Sequence, residues 1–246
     1  MLVLSRTPAF AATTQITQDQ PARKQTQDQV NPQLFKHSLS GLYGIESFKL
    51  NVNQPYNNFK QLYSQSLIAQ KELETICQST ALLSNAQPLF SGVKSKQRAQ
   101  EKIRLDLNGD NRKITDIARA TILAHDIDGL VTAYENLNKQ TKILGVKNRF
   151  KTPAPSGYRD LNLLVELPET KIIAEVQLHL TEIEKVKSGP EHDFYEIIQG
   201  IERRAIAESR ELNEIETAKI ANLRRESHEL YRLAWQPYIT TNLKAA

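Results

Sequence analysis

Lys171-Ile172-Ile173-Ala174-Glu175-Val176-Gln177-Leu178-His179 is the stretch that decides the fold. With a period of two, Ile172, Ala174, Val176 and Leu178 point one way, while Ile173, Glu175, Gln177 and His179 point the other, which is the pattern of a strand. A carboxylate and an amide therefore share one face in the middle of the chain. A half-buried glutamate is costly unless it is paired or holds a metal, so the position calls for a reason. An edge-strand glutamate facing water is the competing reading, and spacing alone does not separate the two.

Working outward, Tyr158 to Leu167 reads as a second strand, with Tyr158, Asp160, Asn162 and Leu164 on one face and Arg159, Leu161, Leu163 and Val165 on the other. The two strands pair as a hairpin across Pro168-Glu169-Thr170. Ser156-Gly157-Tyr158 puts an aromatic ring directly after a tight turn, where it can stack on a base; a plain surface tyrosine is the simpler alternative. Upstream, Ala118 to Ala124 reads as a strand, Asp128 to Lys139 as a helix and Ile143 to Phe150 as a strand. Asp116 stands just before the first of these. Two carboxylates meeting a polyphosphate are what magnesium needs, whereas Asp116 taken alone reads as a turn or cap residue.

Helices flank this core. Phe59, Leu62, Tyr63, Ser66, Ala69, Leu73, Ile76, Cys77 and Leu83 follow helical spacing to about Ser84. After a Pro and Gly break at Pro88 to Gly92, a second helix runs from Ser95 to Leu107 and ends at Asn108-Gly109-Asp110. A helix near Leu180 is interrupted at Ser188-Gly189-Pro190, and one very long helix follows from Glu191 to Tyr231, with Ile198, Ile201, Ala205, Leu212, Ile215 and Leu223 as its buried stripe. The sum is an α/β (α+β) fold, a mixed β-sheet flanked by helices, with long N- and C-terminal helices. Residues 1–57 read as a disordered or weakly ordered arm, 58–232 as one domain and 233–246 as a tail.

Composition agrees with one globular domain: 39% of residues are hydrophobic and 24% charged. No apolar run approaches the roughly 18 residues of a membrane span, so no membrane partner is expected. The net charge is only +4, but Lys94, Lys96, Arg98, Lys102 and Arg104 cluster, as do Lys142, Lys147, Arg149 and Lys151. Such clusters suit phosphates, although a solvated helix face explains any one of them. Cys77, the single cysteine, reads as a small core residue. Ala9-Phe10-Ala11-Ala12 looks like the end of a secretory signal, with too short an apolar stretch before it. Two readings stand: chance, or the remnant of a signal at 1–11, in which case the protein is a secreted or delivered effector that acts in the cytoplasm of another cell. The chain has no Gly-rich phosphate loop, no His-Glu-x-x-His, no Cys-x-x-Cys and no Gly-x-Ser-x-Gly, which disfavours P-loop hydrolases, zinc proteases and serine esterases.

In order along the chain stand Lys94-x-x-x-Arg98-Ala99-x-x-Lys102, Asp116-Ile117-Ala118-Arg119, Val146-Lys147-Asn148-Arg149-Phe150, Pro155-Ser156-Gly157-Tyr158-Arg159-Asp160, Ala174-Glu175-Val176-Gln177 and His192-x-x-Tyr195-Glu196. This series resembles the RelA/SpoT synthetase domain, a nucleotidyltransferase-like family whose members move the β,γ-pyrophosphate of ATP onto the 3′-hydroxyl of a guanosine nucleotide. The resemblance implies that Asp116 and Glu175 hold Mg²⁺ and that Glu175 helps to deprotonate the attacking hydroxyl. Tyr158 would stack on the acceptor base. Lys94, Lys96, Arg98 and Lys102, with Arg119, would take the ATP phosphates. Lys147, Arg149 and Asn162 would face the acceptor, and Arg159, Gln177 and His192 would support the site.

Departures from the family pattern matter as well. Arg119 and Thr121 follow Asp116 where many synthetases carry Gly and Arg, Asn162 stands where His is common, and the Arg-x-Lys opening is Lys94-x-Lys96. The chain therefore resembles a divergent, stand-alone member, and its acceptor stays open: a guanosine or adenosine nucleotide, giving an alarmone such as (p)ppGpp or a toxin that drains ATP. Two alternatives are the 3′ end of tRNA by the same chemistry, and a non-catalytic nucleotide- or RNA-binding module. A second copy of the chain or a neutralising protein are the further partners considered.

Overall fold

The computed structural model describes residues 35–243, with side chains to residue 240. The signal-like start at 1–11 and the rest of the polar stretch through residue 34 lie outside the described residues.

The elements are α1 (Leu39–Gly44), β1 (Phe48–Lys49), α2 (Phe59–Leu83), β2 (Ala86–Leu89), α3 (Lys96–Asp106), β3 (Arg119–Ala124), α4 (Ile127–Gln140), β4 (Lys142–Asn148), β5 (Leu161–Glu166), β6 (Ile173–Leu180), α5 (Thr181–Lys187), α6 (Pro190–Ala207) and α7 (Glu214–Leu243). Side chains that cannot continue a helix start most of the central ones: Asn58, Ser95 and Asp126 each accept the amide three residues on, at 3.1, 3.3 and 2.8 Å. The strands form one six-stranded sheet in the order β1-β4-β5-β6-β3-β2. Only β3 and β6 run parallel. This is the mixed sheet with flanking helices read from the sequence.

One sheet face is apolar. Ala120, Ile122, Ala174, Val176, Leu178, Leu161 and Leu163 join Leu62, Ala69, Leu73 and Cys77 of α2 and Leu130, Ala133 and Leu137 of α4 in a single buried cluster. At about 25 cal/mol per Å² of apolar surface removed from water, this face dominates the stability of the fold. The opposite face carries the polar residues of the same strands, because a pleated strand must alternate.

Several boundaries differ from those read in the sequence, each for a physical reason. Residues 39–57 join the fold instead of trailing as an arm: Leu42 is fully buried, β1 pairs with β4, and the Gln54 amide bonds the carbonyls of Ile114 and Ile173 and the Ile173 amide at 2.8, 2.7 and 3.0 Å. Polar composition hid these contacts because a glutamine that replaces a strand partner looks like any other glutamine. Pro88, read as part of a break, lies in β2, an edge strand where a missing amide is tolerated. The long helix expected from Glu191 to Tyr231 is two helices. Asn213 accepts the Glu216 amide at 2.9 Å while the Glu216 carboxylate accepts the Asn213 amide at 3.1 Å, a capping box that starts α7 afresh. Finally, α7 runs through the expected tail: Trp235 and Tyr238 are buried in the main core, and Trp235 packs on Phe150 with ring centroids 5.4 Å apart.

Trp235→Ala should therefore destabilise the protein by about 3–5 kcal/mol in urea unfolding. A loss below about 1 kcal/mol would mean that this end of α7 is dispensable.

Candidate active site

The polar face of the sheet is organised by register. Thr121, Gln177, Asn162 and Lys147 are successive partners across β3, β6, β5 and β4, and Arg119 and Glu175 are partners one step along. Glu175, Gln177 and His179 thus lie on one face of β6, as their alternation implies. A cleft of about 730 Å³ opens here, lined by Arg149, Ser156, Tyr158, Gln177, Lys187 and His192 together with side chains of α6 and α7.

Tyr158 follows a turn in which the Gly157 amide bonds the Ala154 carbonyl at 2.8 Å. Gly157 has φ +83°, and a Cβ there would stand 3.1 Å from the His228 Cα and 3.3 Å from the Tyr231 Cβ. Both the backbone and the approach of α7 thus require glycine. The Tyr158 hydroxyl donates to Asp160 Oδ2 at 2.8 Å and lies 2.7 Å from His179 Nε2. Its ring meets Tyr231 edge-on at 5.6 Å, and the Arg149 guanidinium lies 5.6 Å from its centroid. Burial, then the Asp160 charge, push the phenol well above its ordinary range, so it is a neutral donor.

Asp160 has no exposed side-chain surface. Burial pushes its carboxyl up, but His179 and Arg149, the latter at 2.6 Å, more than offset that and hold it below the usual carboxylate range. His179, equally buried, bonds Glu184 through Nδ1. For Glu184 too, burial is outweighed by His179 and Lys187. Glu191 goes the other way: burial raises its carboxyl despite the Tyr231 hydroxyl 3.0 Å away.

A second cluster lies beside β3. Lys94 and Lys102 both bond Asp116 Oδ2, at 2.7 and 2.8 Å. Burial pushes this carboxyl up, yet Lys102 and then Lys94 bring it below the ordinary range. Its Oδ1 is buried without a hydrogen-bond partner among the described residues. Asp116 precedes by two residues Ala118, whose carbonyl takes the Glu175 amide at 3.1 Å, so Asp116 lies in the loop that enters β3 at the end where β3 pairs with Glu175 of β6.

The residues singled out in the sequence divide in three. Arg149, Tyr158, Gln177 and His192 line the cleft; Glu175 and Asn162 stand on the same sheet face, with Gln177 donating to Glu175 Oε1 at 3.4 Å; and Lys94 and Lys102 meet Asp116. Lys147 and Arg98 are exposed, and Arg119 is half-buried with its Nε unpartnered among the described residues. Lys96 instead faces a depression shared with Asn57, Lys60 and Asn111. Arg159 turns the other way, bonding the Phe150 carbonyl at 2.8 Å and lying over the Trp235 ring at 5.1 Å. The sequence reading passed over Asp160, His179, Glu184, Lys187, Glu191 and Tyr231. Alternation already put His179 beside Gln177, but nothing local brings α5, α6 and α7 to that face.

Magnesium fits these residues: it prefers one or two carboxylates, and the bare Oδ1 of Asp116 is an oxygen donor awaiting a partner. Among the described residues no group of three or more His, Cys, Asp or Glu gathers as a metal site.

No family model matches the chain. It is 26% identical over 142 residues to the (p)ppApp synthetase toxin Tas1 of Pseudomonas aeruginosa, a match covering 58% of this chain and 31% of that protein. Among solved structures, the Type VI effector Tas1 in complex with its immunity protein superposes with a TM-score of 0.55 at 20% identity, over 72% of this chain and 96% of the other. The small alarmone synthetase 1 of Bacillus subtilis bound to its product pppGpp superposes with a TM-score of 0.54 at 18% identity, over 76% and 98%. The chain resembles part of the Tas1 synthetase in sequence and shares the fold of the small alarmone synthetases. The resemblance read from the motifs and the superposition reached from the backbone thus agree. Among the described residues no helix is long and apolar enough to cross a membrane.

Asp160, ionised and depressed, contributes stability that is fully present above the ordinary carboxylate pKa of about 4 and is lost as pH falls through its lower folded value. Asp160→Asn should lower the urea midpoint at neutral pH and remove part of the acid-side slope. Parallel pH profiles for the two proteins would contradict this role.

Proposed function

We propose that this chain is an ATP-dependent pyrophosphotransferase whose acceptor is the 3′-hydroxyl of a purine nucleotide. One arrangement supports the reading best: a fixed aromatic ring, Tyr158, and Gln177 line one cleft, Gln177 bonds the Glu175 carboxylate on the same sheet face, and the lysine-bound Asp116 stands just before β3, the strand that pairs with Glu175. The kinship with synthetases supports the chemistry.

Transfer of this kind asks the protein mainly for alignment and charge neutralisation. In our reading the ATP triphosphate lies against Lys94, Lys102 and Arg98, which stand at four-residue spacing along and just before α3. The acceptor base stacks on Tyr158, and Arg149 and Lys147 face its phosphates. The acceptor hydroxyl attacks the β-phosphorus of ATP, AMP leaves, and Glu175 takes the hydroxyl proton. Asp116 and Glu175 would hold Mg²⁺, which when bound supplies charge neutralisation at the phosphate oxygens. Gln177 orients Glu175. Lys96 and Arg159 have no part in this scheme, since the one faces another depression and the other braces α7. The tRNA alternative gains no support from relatives named as nucleotide synthetases.

The test is direct. The chain is incubated with Mg²⁺, γ-labelled ATP and GDP, GTP, ADP, ATP or tRNA in turn, and the labelled acceptor is identified. A purine nucleotide should gain label, and Glu175→Gln should lower the rate by at least about a thousandfold with the unfolding midpoint nearly unchanged. An active Glu175→Gln variant removes the proposed base. Tyr158→Ala should raise the acceptor KM about tenfold or more and the ATP KM by less than about twofold; equal losses would exclude base stacking.

A further inference from the structure

His179 has no exposed side-chain surface, yet it sits among charges. Its Nδ1 bonds the Glu184 carboxylate, and its Nε2 lies 2.7 Å from the Tyr158 hydroxyl and 3.9 Å from Asp160 Oδ2. Hydrogen-bond capacity fixes the direction of the hydroxyl's bonds. The Tyr158 hydroxyl has one proton and donates it to Asp160, a carboxylate that can only accept, so the hydroxyl oxygen must accept from His179. Both ring nitrogens are therefore engaged, Nε2 by the hydroxyl and Nδ1 by Glu184.

The chain of contacts continues past Glu184. Its Oε2 also takes Lys187 Nζ at 3.3 Å, and the same Nζ bonds Gln177 Oε1 at 3.3 Å. Gln177 in turn donates to Glu175 Oε1 at 3.4 Å. A continuous polar path therefore joins Arg149, Asp160 and Tyr158 to Gln177 and Glu175, and His179 bridges its two halves from a position with no contact to the cleft. A neutral side chain of similar size offers a single polar end and leaves either the hydroxyl or Glu184 unpartnered, which is costly in a buried network.

We infer that His179 is a positioning residue: its imidazole ties the Tyr158 hydroxyl to Glu184, and through Lys187 and Gln177 holds the stacking ring and the Glu175 carboxylate in one frame. The inference rests on the reading of Tyr158 as the acceptor's stacking surface. It assigns to a buried histidine a role in acceptor affinity without any contact between the two.

The test uses the full chain and separate KM values for ATP and for the acceptor. His179→Gln should raise the acceptor KM about tenfold, leave the ATP KM within about twofold, and have almost no further effect in a Tyr158→Phe background, since the hydroxyl through which it acts is already gone. Glu184→Gln, a substitution of the same size at a position 17% exposed, should reproduce the acceptor effect with the unfolding midpoint checked alongside. Equal rises in both KM values, or an undiminished effect in the Tyr158→Phe background, would overturn the proposal. If the wild-type chain labels no acceptor, the stacking reading itself fails, and a second measurement judges His179 alone. In protein with ¹⁵N-labelled histidine, Tyr158→Phe should move the Nε2 resonance of this residue and Glu184→Gln its Nδ1 resonance. Ring nitrogens indifferent to both changes would sink the tie.

Discussion

A carboxylate sealed from solvent has to be answered by positive or donating groups, and the cleft of this protein is built around such an answer. Asp160 takes a guanidinium from β4's end, a hydroxyl from its own loop and the field of an imidazole from β6. Desolvating one ion costs several kcal/mol, so the arrangement is stable only with all three partners present. That requirement ties three separate segments into one geometry. Tyr158 is fixed as a consequence, because its hydroxyl is one of the partners, and with it the ring edge that meets α7.

The helices after the sheet follow from the same constraint. A glycine at residue 157 lets α7 approach to within a few ångströms of the turn, and Tyr231 then closes the cleft beside Tyr158 while reaching Glu191 at the start of α6. Trp235, one turn further on in contact with Arg159 and Phe150, anchors that helix from the apolar side. The two faces of β5 and its preceding loop thus do different work. Tyr158 lines the cleft with Asp160 buried behind it, while residues 159 and 161 point to the other side.

How much of this could be read from residues alone depended on the range of the interaction. The alternation in Ile173-Glu175-Gln177-His179 is local, and the strand, its polar face and its partner strand were all legible from it. Helix starts were legible where apolar spacing began or a break preceded it, as at Phe59 and near Ser95. The Asn213-Glu216 capping box was equally local and went unread because Leu212 and Ile215 keep the helical spacing of the α6 stripe, although both are exposed in the structure and belong to no buried stripe. Pro88 looked like punctuation because edge position is not encoded locally. The site was legible where a motif carried it and illegible where distant segments converge: Glu184, Lys187, Glu191 and Tyr231 become site residues only when α5, α6 and α7 fold back over β6. Lys96 shows the opposite error. It lies within the basic cluster by sequence, yet helical geometry sends it to another side from Lys94 and Lys102.

The charge pattern explains why two lysines share one aspartate oxygen. Lys94 and Lys102 against a single carboxylate leave a net positive charge beside a buried, unpartnered Oδ1. In the proposed reading a polyphosphate would be drawn by the first and a divalent cation by the second, so that one small cluster would serve both halves of a metal–nucleotide pair without a dedicated all-protein cage. Cations already held by Asp116 need little reorganisation when phosphate oxygens replace solvent, which is the circumstance in which fixed charges act most strongly on a reacting group. The other cluster, around Asp160, is more nearly balanced and closed. On this argument the open, positively biased cluster is suited to bind and neutralise a donor, while the closed one is suited to hold a shape against which an acceptor can be placed.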